Sequence, residues 1–215
     1  MNKRETKDTF CFILFVDIVG YSKLATDQQV TSFNELFNIL HSLESFRQVL
    51  SDNVIIMPTG DGFSLVFHSE PSLPLAPLQV VIDLQREVRR RLLTLPFRAG
   101  IHCGVNSIVE NPDGGKNVIG TSINYAARVM SLGDANHILV STEYYQTVIV
   151  GNAQYATMCH LAGEYAVKHG ITIKIFNVFI EGDFGNSTPP IVAKTNQGKE
   201  ALSKEKAKRV YTPGW

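Results

Sequence analysis

The chain has 215 residues, no net charge, and 44% hydrophobic against 19% charged residues. That composition suits one α/β domain with a sizeable core and excludes a disordered chain; no apolar run is long enough to span a bilayer. The charge balance also speaks against a nucleic-acid polymer as partner.

The start, MNKRETKDTF, is charged and leads into only a short, strand-like apolar run, so it does not read as a signal peptide. Residues 1–9 are read as an extension and 10–19 as the first strand. From Ala25 to Leu50, Phe33, Leu36, Phe37, Leu40, Leu43 and Leu50 recur at helical spacing. NVIIMP (53–58) and FSLVFH (63–68) are short β runs joined by TGDG, which predicts a hairpin. EPSLPLAP (70–77) reads as a loop. Residues 78–93 read as a helix whose Arg89, Arg90 and Arg91 form a solvated side. FRAGIHCGVN (97–106) is a strand, and ENPDGGKN (110–117) a turn-rich loop. A helix is expected over 121–132, a strand over 137–141, a short helix from Thr142 and a closing strand over 171–180. EGDFGNSTPP (181–190) reads as a linker, followed by a basic tail with six Lys/Arg and two Glu in residues 191–215. The domain is therefore placed at 10–180, with linker and tail at 181–215. Cys11, Cys103 and Cys159 are odd in number and widely spaced, which suggests reduced thiols and a cytoplasmic chain. The six His residues make no zinc spacing.

The strand–helix–strand–strand–helix–strand order of residues 10–106 is a ferredoxin-like plan. Its first strand carries a carboxylate, Asp17, inside the apolar run LFVDIVGYSKL. A buried carboxylate must be paired or bind a cation. In this plan the first strand and the hairpin lie in one sheet, so Asp17 and Asp61 can meet at its edge. Two acids held together there suit Mg²⁺ or Mn²⁺ with triphosphate oxygens. The Gly20-Tyr21 corner after Asp17 opens a helix start whose N–H groups can hold phosphate. Asn124 and Arg128, four apart, share one helix face. An amide and a guanidinium there suit a ribose oxygen and a phosphoryl group in transfer.

FVDIVGYSKL, TGDGFSLVF, FRAGIHCGV, GTSINYAARV and AVKHGITIKIFNV resemble, in order and spacing, the class III nucleotide cyclase catalytic domain. The resemblance covers about residues 10–180. It implies an α+β, ferredoxin-like cyclase fold with an antiparallel-rich sheet and packed helices. It places two Mn²⁺ or Mg²⁺ ions at Asp17, Ile18 and Asp61, and the transition-state pair at Asn124 and Arg128. Gly20, Tyr21, Arg98 and Lys168 would hold the triphosphate. The 3′-hydroxyl would attack the α-phosphate in line, giving a 3′,5′-cyclic nucleotide and pyrophosphate. In this family the metals come from one catalytic domain and the Asn/Arg pair from another, which implies a homodimer with two sites.

The base-reading positions depart from the family. Adenine-using members usually carry Lys, and guanine-using ones Glu, where this chain has Met57. The second reader, commonly Asp, Thr or Cys, is Asn117. Met57 fills volume without a strong hydrogen bond, and Asn117 offers a donor and an acceptor that fit an edge such as uracil N3–H and O4. In this the chain is similar to the compact bacterial pyrimidine cyclases of antiphage defence, whose cyclic UMP or cyclic CMP activates a separate effector. The expected reaction is UTP to cyclic UMP. The alternatives are an adenylate or guanylate cyclase with a divergent pocket and an inactive cyclase-like nucleotide-binding module. A polymerising palm domain shares the two-carboxylate logic but leaves GTSINYAARV and KHG unexplained.

Overall fold

A computed structural model describes residues 7–50, 53–68, 73–91, 93–112, 114–166 and 172–190. The first strand, β1 (Lys7–Ile18), is followed by a 3₁₀ turn at Tyr21–Lys23 and by α1 (Thr26–Ser42) and α2 (Glu44–Val49). The hairpin β2 (Val54–Pro58) and β3 (Gly62–His68) precedes α3 (Ala76–Arg90) and the long strand β4 (Phe97–Glu110). Then come β5 (Lys116–Ile119), α4 (Thr121–Ser131) and β6 (Ile138–Ser141). Two short helices, α5 (Thr142–Tyr144) and α6 (Ala153–Ala156), flank a π turn, and β7 (Cys159–Ala166) and β8 (Thr172–Val178) close the chain's described fold.

The strands form one sheet in the order β2-β3-β1-β4-β6-β8-β7, with β5 paired to β4. Within it β2-β3-β1-β4 is the predicted ferredoxin-like arrangement, all antiparallel. β4 and β6 pair in parallel. A parallel pair needs a crossover, and α4 supplies it.

The central strand β1 reads as a continuous apolar run because both its faces are covered. Leu14, Val16 and Ile18 face the larger core with Leu36 and Leu40 of α1 and Leu78, Val81 and Leu84 of α3. Cys11 and Ile13 face the other way, into a smaller cluster with Ile55, Val66, Val118 and Ala126 of α4. Pro77 opens α3, where its fixed φ costs nothing.

Five points of the sequence reading are revised. The helix read over 25–50 is two helices, because Leu43 turns to an extended conformation and buries its side chain. The loop at 110–117 is the end of β4, a turn closed by Asn111 N–H donating to Gly115 O at 2.7 Å, and the start of β5. The strand β7 was not anticipated. Residues 181–190, read as a linker, pack back on the domain. Phe184 is fully buried, Gly185 N–H donates to Gln85 Oε1 at 2.7 Å, and Asn177 Nδ2 donates to Asn186 O at 2.6 Å. The solvated Arg run is also partly engaged: Glu87 pairs with Arg90 and Arg91, each at 2.7 Å, and Arg89 donates to the Asp183 carbonyl. The tail at 191–215 lies outside the described residues.

Candidate active site

Asp17 is the last polar group on β1 before the chain leaves the sheet. Its register partners are Gly62 on β3 and Arg98 on β4. The approach to β3 is so close that a Cβ on Gly62 would lie 2.0 Å from Val16 O, so only glycine fits. The turn before it is closed by Thr59 N–H donating to Gly62 O at 3.0 Å, with Gly60 at φ 88°. This geometry delivers Asp61 beside the end of β1, where Ile18 N–H donates to Asp61 O at 2.9 Å. The structure thus brings Asp17, Ile18 and Asp61 together.

Asp17 is 6% exposed. Burial pushes its carboxyl up to about 6, the Asp61 carboxyl pushes the same way, and Arg98 opposes both. Arg98 Nε and Nη2 both reach Asp17 Oδ2 at 2.7 Å, and Nη1 donates to Gly133 O at 3.2 Å. So Arg98, expected at the triphosphate, is in this state the counter-charge of Asp17.

Two neighbouring acids, one of them buried and resisting ionisation, are a donor set that fits a hard divalent cation. Among the described residues no group of three or more His, Cys, Asp or Glu could hold a metal. A pair suffices where phosphate and water oxygens complete the shell, as Mg²⁺ prefers. Gly20 follows at φ 80°, with nothing within 4 Å of where a Cβ would point, and Tyr21 starts the 3₁₀ turn.

The second group sits on α4. Ser122, Ala126 and Val129 are its buried residues. At 100° per residue, Asn124 and Arg128 lie on the opposite side, away from the sheet that carries Asp17. Asn124 is exposed and donates from Nδ2 to Gly120 O at 3.2 Å. The Arg128 side chain has no hydrogen bond or ion pair among the described residues. The pair is therefore together on one helix face; the last turn of that helix meets the acid end through Arg98, which donates from Nη1 to Ser131 O at 3.4 Å, while among the described residues no hydrogen bond from the Asn124 or Arg128 side chain reaches Asp17 or Asp61.

Met57 is half-buried beside the cluster of Ile55, Val66 and Val118. Asn117 on β5 accepts from Val118 N–H through Oδ1 at 2.8 Å. Lys168 lies outside the described residues. One further residue on the face of Met57 escaped the sequence reading. Ser64 pairs in register with Met57 on one side and Phe15 on the other. Only the strand register could have flagged it, because inside an apolar run a Ser looks like filler.

The model for the adenylate and guanylate cyclase catalytic domain matches residues 3–182. A comparison with curated protein sequences found no match. Among solved structures, the adenylyl cyclase CyaB from P. aeruginosa superposes with a TM-score of 0.67 at 23% identity, over 84% of this chain and 100% of that one. The adenylate/guanylate cyclase/hydrolase from Silicibacter pomeroyi gives 0.63 at 22% identity, over 82% and 100%. The guanylate cyclase domain of RhGC from Catenaria anguillulae, in complex with GTP, gives 0.66 at 17% identity, over 80% and 98%. At these identities the structures establish the fold, while the sequence model, spanning most of the chain, establishes the kinship: the chain belongs to the adenylate and guanylate cyclase catalytic domain family.

Proposed function

We propose that the protein converts UTP to cyclic UMP and pyrophosphate at two sites shared between the chains of a homodimer. The observation that carries the choice of base is the orientation of Asn117. Its Oδ1 is taken by the Val118 N–H, which an amide NH₂ cannot replace as acceptor. The free end is therefore a donor, and it suits a base edge with a carbonyl. Uracil O4 meets that demand; the amino groups of adenine and cytosine do not. Guanine O6 also meets it, which makes guanylate cyclase the second reading. Met57, packed beside Val118, takes up space that a purine would need.

Asp17, Ile18 and Asp61 would hold the divalent cations, Mn²⁺ or Mg²⁺. When bound there they ease loss of the 3′-hydroxyl proton and offset charge at the α-phosphoryl group. Arg98 would turn from Asp17 toward the phosphates once cations neutralise the acids. Gly20 and Tyr21 offer backbone N–H groups to the same anion, and Lys168 a further cation. Arg128 stabilises the charge that develops on the transferring phosphoryl group, and Asn124 orients the ribose for in-line attack. Asn124 and Arg128 face away from the sheet of their own chain, which supports a site completed by a second copy.

The resemblance to the pyrimidine cyclases of antiphage defence at Met57 and Asn117 supports reading the product as a signal for a separate effector. The test is direct. Purified protein is given the four NTPs at equal concentration with Mn²⁺, and products are identified by mass spectrometry. Cyclic UMP should dominate. A dominant cyclic GMP or cyclic AMP peak overturns the base assignment and leaves the cyclase; no cyclic product from a folded dimer favours the nucleotide-binding module instead.

A further inference from the structure

We propose that Ser64 is a base-reading residue of this pocket, its hydroxyl pairing with the imide edge of the bound base. The inference rests on the nucleotide-site reading above and goes beyond the two base-reading positions, Met57 and Asn117.

Ser64 is 1% exposed, and its hydroxyl has no hydrogen-bond partner among the described residues. Leaving a buried hydroxyl unpaired costs stability, and an Ala of nearly the same shape would avoid that cost. Such a group in a sheet interior calls for an explanation, and a bound ligand is one that its position can test.

Its position says which ligand. Register partners share a sheet face, with Cβ atoms about 4.5–5.5 Å apart. Ser64 is therefore flanked on its own face by Met57 of β2 and Phe15 of β1. Along β3, the next residue on that face toward the Asp17–Asp61 end is Gly62. Gly62 and Ser64 make a low track between taller neighbours, running from the acid end of the sheet to Met57. Phe15 supplies an aromatic face beside it. Met57, unbranched and adaptable, is the wall that can yield enough for a single pyrimidine ring while still filling the room a second ring would need. Val118 packs in the same cluster as Met57; its neighbour Asn117, on the alternate face of β5, is assigned to the base by the resemblance to the family and not by this packing.

The two polar groups then divide one edge between them. The Asn117 amide donates to a base carbonyl. The Ser64 oxygen accepts the adjacent ring N–H, and its own proton is free to turn to a second acceptor. Uracil carries this carbonyl and N–H pair; cytosine carries an amino group and a bare ring nitrogen instead. A site built on hydrogen bonds rejects the wrong edge strongly, because its buried polar groups are left unpaired.

The test is Ser64→Ala, read in three ways. Thermal melting should be unchanged or slightly higher, since an unpaired hydroxyl is removed. In equimolar NTP competition with Mn²⁺, the ratio of cyclic UMP to cyclic CMP should fall by roughly tenfold, the effect of one lost hydrogen bond in a buried site. Binding of the four 3′-deoxynucleoside triphosphates, which cannot cyclise, should lose the same ratio. An unchanged product ratio and unchanged binding ratio overturn the assignment. So does a lower melting temperature with all products reduced in parallel, which marks a purely structural Ser. A wild-type protein that makes no cyclic nucleotide overturns the cyclase reading instead, and the binding ratio then still decides Ser64.

Discussion

At the scale of single residues, Asp17 shows what the site costs the fold. An acid whose pKa rises on folding binds its proton more tightly in the folded state. Its contribution to stability is complete below about pH 4 and is lost as the pH rises through about 6. At pH 7 the ionised, metal-free group is a liability of at most about 3 kcal/mol. Melting in EDTA should therefore rise for the wild type between pH 7 and pH 5, to the extent that this group governs it. Asp17→Asn should flatten that dependence and melt higher than wild type at pH 7, because an amide is isosteric with the neutral acid. Mn²⁺ should stabilise the wild type and leave Asp17→Asn unmoved, and the variant should be inactive. A variant that melts well below wild type at pH 7 would mean that the Arg98 ion pair outweighs the burial of charge. The sequence made Asp17 legible because a carboxylate in an apolar run is a contradiction that needs a resolution, and Asp61 legible because the ferredoxin-like plan sets the TGDG turn beside that strand. Arg98 was legible only as a cation; that it would rest on Asp17 follows from β1–β4 register, which no local pattern carries.

At the scale of elements, α4 is held against the sheet by glycine. A Cβ on Gly100 would lie 2.3 Å from Met130 N, and one on Gly104 would lie 2.3 Å from Ser122 Oγ. The two glycines are four apart on β4 and share a face, so they form a bed for the helix. Met130 N is backbone and cannot swing aside. Gly100→Ala should therefore lift α4, cost about 1–3 kcal/mol in stability by overpacking, and lower turnover by displacing Asn124 and Arg128. If the variant melts like wild type and keeps full activity, the helix is less tightly seated than described. The helix was legible from its apolar spacing, and so were β1, the β2–β3 hairpin, α3 and β4. The elements that escaped are those whose signal is tertiary. β5 is four residues inside a turn-rich stretch, and only its pairing to β4 makes it a strand. Leu43 breaks the α1–α2 run although its apolar spacing fits a single helix. Phe184 lies in a segment of Gly, Asn, Ser and Pro that reads as a linker until the hydrophobic core claims its ring.

At the scale of the whole molecule, the arrangement of the two half-sites is the argument for assembly. Asp17 and Asp61 stand at the end of the sheet, and Asn124 and Arg128 look out from the far side of α4. In the proposed reaction, in-line transfer needs the acids and the guanidinium around one phosphoryl group, so in the proposed dimer a second chain brings the missing half. Asp17→Ala and Arg128→Ala proteins should each be inactive alone. Mixed in equal amounts and allowed to exchange, half of the dimers are hetero. Each heterodimer has one site with the acids of one chain and the Arg of the other intact, and one site with both lost. Activity should return to about a quarter of wild type, as two-fold symmetry requires. Exchange itself is checked by native mass spectrometry of chains that differ by a tag. Restored activity with that stoichiometry places the two halves on different chains. Full exchange with no recovered cyclic nucleotide would place them in one chain, and would require α4 to turn its outer face toward the sheet.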